Sequence, residues 1–274
     1  MITACVKADD DADKLIADTA LQCALNSKTM VHAEDTDILI ILLSSPECPH
    51  DLVFAPLKKA SKKAKKFWPI QKVQKSLGLE LCLRLLFIHA FSGCDTTSRP
   101  FGMGKSTVLT KVLKDSDLCH CADIFVHNHS STEDVIRSGD LAMRLLTGGK
   151  QSECLAKHRY KEYKKRVLKG NKMVTPEYLP PTSGSTREHS LRVRHQVMTW
   201  LGVKLPPELF GWEFVDNTLR PVITKDPPAP QELLKSIYCN CKSQCETKKC
   251  SCRSFNLKCT DICGNCLGER CSNV

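Results

Sequence analysis

The sequence lacks any apolar run long enough to cross a bilayer, which takes about 20 residues. Its longest run, Ile38–Leu43, covers six of the 274 residues. The first residues do not combine a basic start with an apolar stretch, so we expect no secretory signal. No segment recurs with a period of about 20 to 50 residues, which argues against a solenoid or a propeller. A membrane partner is therefore not expected. The hydrophobic content of 42% is high enough for a buried core.

Acidic residues are in the minority. Asp and Glu total 30 against 40 Lys and Arg, and the net charge of +10 favours an acidic partner, nucleic acid before any other. Two basic runs stand out, at 58–75 without any acid and at 157–172 with only Glu162. Each can be a solvated face of the protein. The alternatives are a nuclear-import signal for the first run and a phosphate-contacting strip for either.

Composition divides the chain into four regions. Residues 1–115 alternate apolar runs with acidic clusters, and a predicted strand at Thr29–Ala33 followed by acids and Ile38–Leu43 indicates an α/β pattern. Helices are predicted at Leu77–Ile88 and from Ser106 onward. Residues 116–205 are basic and helical in character, and residues 206–235 form a Pro-rich linker. Residues 236–274 contain the densest cysteine cluster.

Nine of the 17 cysteines lie in this last region: Cys239, Cys241, Cys245, Cys250, Cys252, Cys259, Cys263, Cys266 and Cys271. So short a segment cannot bury enough apolar surface to fold unaided, and zinc–thiolate sites can replace the missing core. Three Zn²⁺ ions fit if three sulfurs bridge, and two separate four-cysteine sites with one spare thiol are the simpler count. Disulfides are the alternative, disfavoured by the odd number of cysteines.

The pattern Cys239-Asn-Cys241, Cys250-Ser-Cys252 and Cys259-Thr-Asp-Ile-Cys263 resembles the tesmin-type CXC domain of nuclear DNA-binding and chromatin proteins. The resemblance implies a zinc cluster, a nuclear location, and DNA with possible chromatin or protein partners. Lys249 occupies the position of a tyrosine that contacts DNA in that family. The basic residues that would reach phosphates here are Lys242, Lys248, Lys249, Arg253 and Lys258.

Acidic residues form a second candidate site in the first region: Asp11, Asp13, Asp35, Asp37 and Asp95. Converging carboxylates bind Mg²⁺ or Mn²⁺, which activate water for phosphodiester hydrolysis. The same residues can instead cap helices and form turns, which the composition alone favours.

The order of these acids, followed by Gly93-Cys94-Asp95 and Gly102–Lys105, resembles the second half of a flap-endonuclease-type nuclease with a PIN-like fold. The resemblance covers residues 8–115 and implies that the five aspartates are metal ligands, while Gly102, Gly104 and Lys105 form a turn that binds the DNA backbone. That family has further acids in its first half, which this sequence lacks before Asp9. The region is therefore expected to be an incomplete PIN-like domain.

The whole order of motifs also resembles uncharacterised animal proteins of mobile-element origin. We therefore expect an α/β, incomplete PIN-like domain with a helical extension and a small C-terminal zinc-cluster domain. The function expected is DNA binding without cleavage. The alternatives are a Mg²⁺- or Mn²⁺-dependent, structure-selective nuclease and a non-enzymatic protein-interaction scaffold.

Overall fold

The computed structural model describes residues 5–8, 12–57, 67–168, 176–227, 238–242, 244–261 and 263–274. Several predicted features lie outside these residues. They are Asp11, most of the first basic run at 58–66, the end of the second run at 169–172 and the linker residues 228–235.

A small mixed sheet opens the fold. Strand β1 (Thr29–Ala33) pairs in parallel with β2 (Leu52–Pro56), and β2 pairs antiparallel with the short β3 (Trp68–Pro69). The chain crosses from β1 to β2 through helix α2 (Thr36–Ser44), since parallel strands need a crossover connection. The apolar run Ile38–Leu43 lies in α2 and is mostly buried. The predicted strand at Thr29–Ala33 is confirmed.

Helices make up most of the remaining structure, and they are listed here in chain order: α1 (Ala12–Ala24), α3 (Ile70–Leu77), α4 (Leu79–Phe91), α5 (Lys105–Val112), α6 (Ser116–Val126), α7 (Thr132–Leu146), α8 (Leu155–Leu168) and α9 (Ser183–Trp200). The helix predicted at Leu77–Ile88 is observed as α4, and Gly78, at φ 80°, separates it from α3. No helix in the described ranges is long and apolar enough to cross a membrane.

Helix α4 lies at the centre of the core. Its Phe87 ring packs 4.9 Å from Phe91 and 4.8 Å from Phe125 of α6, measured between ring centroids. One buried cluster extends from Ala17 of α1 to Trp200 of α9. The regions predicted as 1–115 and 116–205 therefore share a core, which makes the described fold mixed and rich in helix, with few strands.

The buried helix α9 carries polar side chains that tie distant segments to the core. Arg194 donates to the carbonyls of Phe125 at 2.6 Å and His127 at 2.7 Å. His189 Nε2 lies 3.1 Å from the Phe91 carbonyl, and its Nδ1 lies 3.3 Å from Ser98 Oγ. Burial lowers the pKa of His189 to about 4, so the ring stays neutral and donates one of these bonds.

The Pro-rich region contains a hairpin that the composition did not predict. Strands β4 (Trp212–Val215) and β5 (Thr218–Pro221) pair antiparallel. Asp216 and Asn217, at φ 50° and 57°, form the two-residue turn, a conformation that Asp and Asn tolerate. The described residues of the cysteine-rich module, residues 238–274, include one short helix, α10 (Ser251–Ser254), and a separate buried cluster of cysteines.

Candidate metal centres

The nine cysteines of the module converge. Eight are buried and Cys241 is partly buried. Sulfur–sulfur distances are 3.8 Å for Cys239–Cys245, 3.9 Å for Cys239–Cys259 and 3.5 Å for Cys252–Cys263. A tetrahedral site with Zn–S bonds of about 2.3 Å has edges of about 3.8 Å, whereas a disulfide needs about 2.05 Å. All nine are free thiols, and their spacing is that of metal ligands.

The sulfurs fall into groups of four that share members. Of several overlapping groups whose sulfurs all lie within 4.8 Å of one another, three together account for all nine cysteines: Cys239, Cys241, Cys245 and Cys250; Cys239, Cys252, Cys259 and Cys263; Cys245, Cys259, Cys266 and Cys271. Cys239, Cys245 and Cys259 each serve two of these three groups and the other six serve one. Two further groups, Cys239, Cys250, Cys252 and Cys259 and Cys239, Cys259, Cys263 and Cys266, overlap these three, so the cysteines could hold several metal ions through shared sulfurs.

Backbone hydrogen bonds close the module around its sulfurs. The Gly264 N–H donates to the Cys239 carbonyl at 2.9 Å, and the Cys259 N–H donates to Asn273 at 2.7 Å. Arg253 donates from Nε to the Cys245 carbonyl at 2.6 Å and from Nη2 to Ser272 at 3.0 Å. All three shared cysteines, Cys239, Cys245 and Cys259, thus have a backbone atom held by a partner elsewhere in the module.

Three of the nine thiols, Cys250, Cys263 and Cys271, have a pKa below the ordinary value for cysteine. Burial raises the pKa of Cys263, but backbone hydrogen bonds, including one from the Thr260 N–H at 3.5 Å, lower it to about 6. Metal ligation requires the thiolate, so this environment favours the ligating form.

The surface of the module is basic in patches. Lys242, Lys248, Lys249 and Lys258 are exposed. Lys242 also lines a cleft of about 300 Å³ together with Arg270. Arg253 differs from the other residues predicted to contact DNA, since its guanidinium is directed inward to the two carbonyls named above.

Three of the predicted acids meet at the N-termini of two helices. Asp13 is in the first turn of α1, Asp35 is the N-cap of α2 and Asp37 is in its first turn. One carboxylate oxygen from each lies within 4.8 Å of the others. Asp35 also accepts a hydrogen bond from the Asp37 N–H at 2.9 Å. The same carboxylate thus caps α2 and belongs to the acidic group. Asp95 is exposed and, within the described residues, lies outside this group.

Behind the acids lies a buried histidine whose role the sequence did not reveal. His89 of α4 is 3% exposed, and its Nε2 contacts both the Asp37 carboxylate and the Lys105 ammonium. Burial raises the pKa of Asp37, but the hydrogen bond to His89 and the charge of Lys105 lower it below its ordinary value. A histidine in the otherwise apolar stretch Leu85–Phe91 was the only available signal.

The residues predicted to bind the DNA backbone, Gly102, Gly104 and Lys105, form a turn that leads into α5. Gly102, at φ 75°, is exposed, and Gly104 is the N-cap of α5. Met103 between them is buried and anchors the turn. Lys105 directs its ammonium to His89, so contact with a phosphate would compete with that interaction.

The two centres differ in the chemistry of their donors. Clustered thiolates are soft ligands that select Zn²⁺, whereas carboxylates such as Asp13, Asp35 and Asp37 suit Mg²⁺ or Mn²⁺. A comparison of the chain with protein-family models, curated proteins and solved structures finds no match.

Proposed function

We propose that this chain is a nuclear, zinc-dependent DNA-binding protein of mobile-element origin, and that its acidic region is a nuclease-like scaffold without activity. The observation that supports the proposal best is the set of nine thiols in three overlapping groups, with lysines exposed around them. A metal core makes such a module rigid enough to present charges at fixed positions. Protein partners on chromatin are compatible with the same surface.

The charge of the loaded module bears on how it would bind DNA. Its basic residues exceed its acidic ones by three over residues 238–274. Nine thiolates around three Zn²⁺ ions carry three net negative charges, which offset that excess. Binding would therefore depend on the placement of individual lysines next to phosphates rather than on the net charge of the module.

The test is the affinity of the zinc-loaded full chain for duplex DNA. Replacing Lys242, Lys248, Lys249 and Lys258 by Gln is expected to weaken binding at least tenfold at about 0.1 M salt and to flatten its salt dependence, since each lost phosphate contact reduces the slope by about 0.9. The matched control replaces four exposed lysines elsewhere by Gln: Lys28, Lys75, Lys114 and Lys204. Equal affinity of the two variants, with zinc content unchanged, would refute DNA docking by the module.

The acidic centre favours a second candidate function, metal-dependent phosphodiester cleavage. The specific observation is that Asp13, Asp35 and Asp37 converge, with His89 and Lys105 favouring the ionised form of Asp37. Mg²⁺ sites in phosphoryl chemistry commonly use about one or two protein carboxylates together with substrate phosphates and waters, and this group offers three.

Cleavage of labelled branched and single-stranded DNA, with Mn²⁺ or Mg²⁺ against EDTA, decides between the two candidates. If the centre is active, Asp35→Asn/Asp37→Asn abolishes metal-dependent cutting. Asn is as good an N-cap as Asp, so α2 should keep its start. Exposed Asp51 replaced by Asn is the control. Absence of cutting by the unmodified chain, with DNA binding retained, would exclude the nuclease and support the first proposal.

A further inference from the structure

Helix α8 carries the densest positive charge among the described elements. Its 14 residues include six Lys or Arg and one acid, Glu162. The loaded zinc module has its basic excess offset by its thiolates, whereas α8 keeps a charge of about +5 by direct count of these side chains. A polyanion that approaches the protein would meet this helix as a separate surface.

The inner face of α8 is fixed by specific bonds, which set the roll of the helix. Leu155 and His158 are 1% and 2% exposed. His158 Nε2 lies 3.1 Å from Thr147 Oγ1 at the end of α7, and its Nδ1 lies 3.5 Å from Glu153. Arg159 donates to the Pro180 carbonyl. Thr147 and Glu153 precede α8 in the chain, and Pro180 follows it. These contacts hold the face with His158 and Arg159 against the protein, so the other face of α8 points to solvent.

That outer face forms one stripe: Lys157, Tyr160, Lys161, Lys164 and Lys165, at i, i+3, i+4, i+7 and i+8. The stripe covers about 12 Å along the axis. Tyr160 is 52% exposed, and Lys164 Nζ lies 5.5 Å from the centre of its ring. Lys161 pairs with Glu153 and Lys165 with Glu162. Lys157 and Lys164 are therefore the lysines best placed to reach phosphates beside the exposed Tyr160 ring, one face of which Lys164 overlies.

We infer that the outer face of α8 binds single-stranded nucleic acid, with its lysines on phosphates and Tyr160 stacked on a base. Unpaired bases expose their faces to aromatic side chains, whereas the bases of a duplex are already stacked on one another. A duplex or an acidic protein would use the lysines alone and leave Tyr160 without a role. The surface is separate from the zinc module, so the two can be tested independently.

The test measures the affinity of the full, zinc-loaded chain for a labelled oligothymidine of about 12 residues. Tyr160→Leu is expected to weaken binding at least fivefold, since stacking of one base contributes about 1–3 kcal/mol. Tyr163→Leu is the matched control, because Tyr163 lies on the same helix, is 41% exposed and falls outside the stripe. It is expected to change affinity less than twofold.

A second variant tests the charge of the stripe. Lys157→Gln/Lys164→Gln is expected to weaken binding and to reduce the log–log salt slope by about 1.4, that is about 0.7 for each of two phosphates on a single strand. Lys75→Gln/Lys204→Gln is the control. The zinc-module variant with four lysines replaced should keep its oligothymidine affinity. Unchanged binding by Tyr160→Leu, or a loss confined to the zinc-module variant, would overturn the inference.

Discussion

Replacing Cys259 by Ala is expected to release two of three bound zinc ions, whereas replacing Cys241 by Ala releases one. Cys259 belongs to two of the three sulfur groups that cover the module, and Cys241 belongs to one. Loss of a shared sulfur leaves two ions with three ligands each, and loss of an unshared sulfur leaves only one ion in that state. The unmodified chain is expected to hold three ions.

Elemental analysis of the purified chain gives the zinc count, and native mass spectrometry shows the distribution of loaded forms. Substitution by Co²⁺ adds an optical signal for tetrahedral thiolate ligation. If either variant loses all of its zinc, the number of zinc ions in the unmodified protein still distinguishes three ions with shared sulfurs from two separate sites. Two ions in that protein, with equal losses in both variants, would show two separate four-cysteine sites instead.

Gly139→Ala is expected to lower the free energy of unfolding by about 2–3 kcal/mol, the cost of overpacking a close helix contact. Helices α7 and α9 touch at this position. A methyl group on Gly139 would lie 1.9 Å from Ser190 Oγ, 2.6 Å from Ser190 Cβ and 3.4 Å from the Phe125 ring. The gain of about 1 kcal/mol in helix propensity from Gly to Ala is too small to offset the clash.

Adding Ser190→Gly to Gly139→Ala should recover part of this loss, because it removes the atoms that the new methyl group meets. Urea unfolding followed by tryptophan fluorescence measures the effect without interference from the zinc module, since Trp68, Trp200 and Trp212 all lie before residue 238. Ser138→Ala on the same helix is the control. Stability unchanged in Gly139→Ala would show that α7 and α9 are farther apart than described.

Local patterns predicted the elements that depend on local sequence. The strand Thr29–Ala33 and the helix observed at Leu79–Phe91 follow from short periodic or apolar runs. Strand β2 was missed because Leu52–Pro56 is a five-residue apolar segment whose pairing with β1 depends on a distant part of the chain. The hairpin within the Pro-rich region was not predicted because prolines on both sides of it are typical of a linker, whereas the Asp216-Asn217 turn that closes it is a short local signal.

In the candidate sites too, the sequence predicted features that depend on neighbouring residues and missed those that depend on distant parts of the chain. Cysteine spacing predicted which residues are potential ligands, but the sharing of Cys239, Cys245 and Cys259 between groups depends on how the module folds. Asp35 and Asp37 are close in sequence, whereas their approach to Asp13 and His89 requires α1, α2 and α4 to pack together. Asp95 is exposed and lies outside the group formed by Asp13, Asp35 and Asp37 among the described residues. Its role as a metal ligand therefore stays a prediction.

The shared sulfurs also determine how the module would respond to the supply of metal. An ion bound by Cys239, Cys241, Cys245 and Cys250 places two sulfurs that the neighbouring ions need, so each binding event reduces the ordering cost of the next. Zinc loading of the unmodified module would then be steeper than loading of three separate four-cysteine sites.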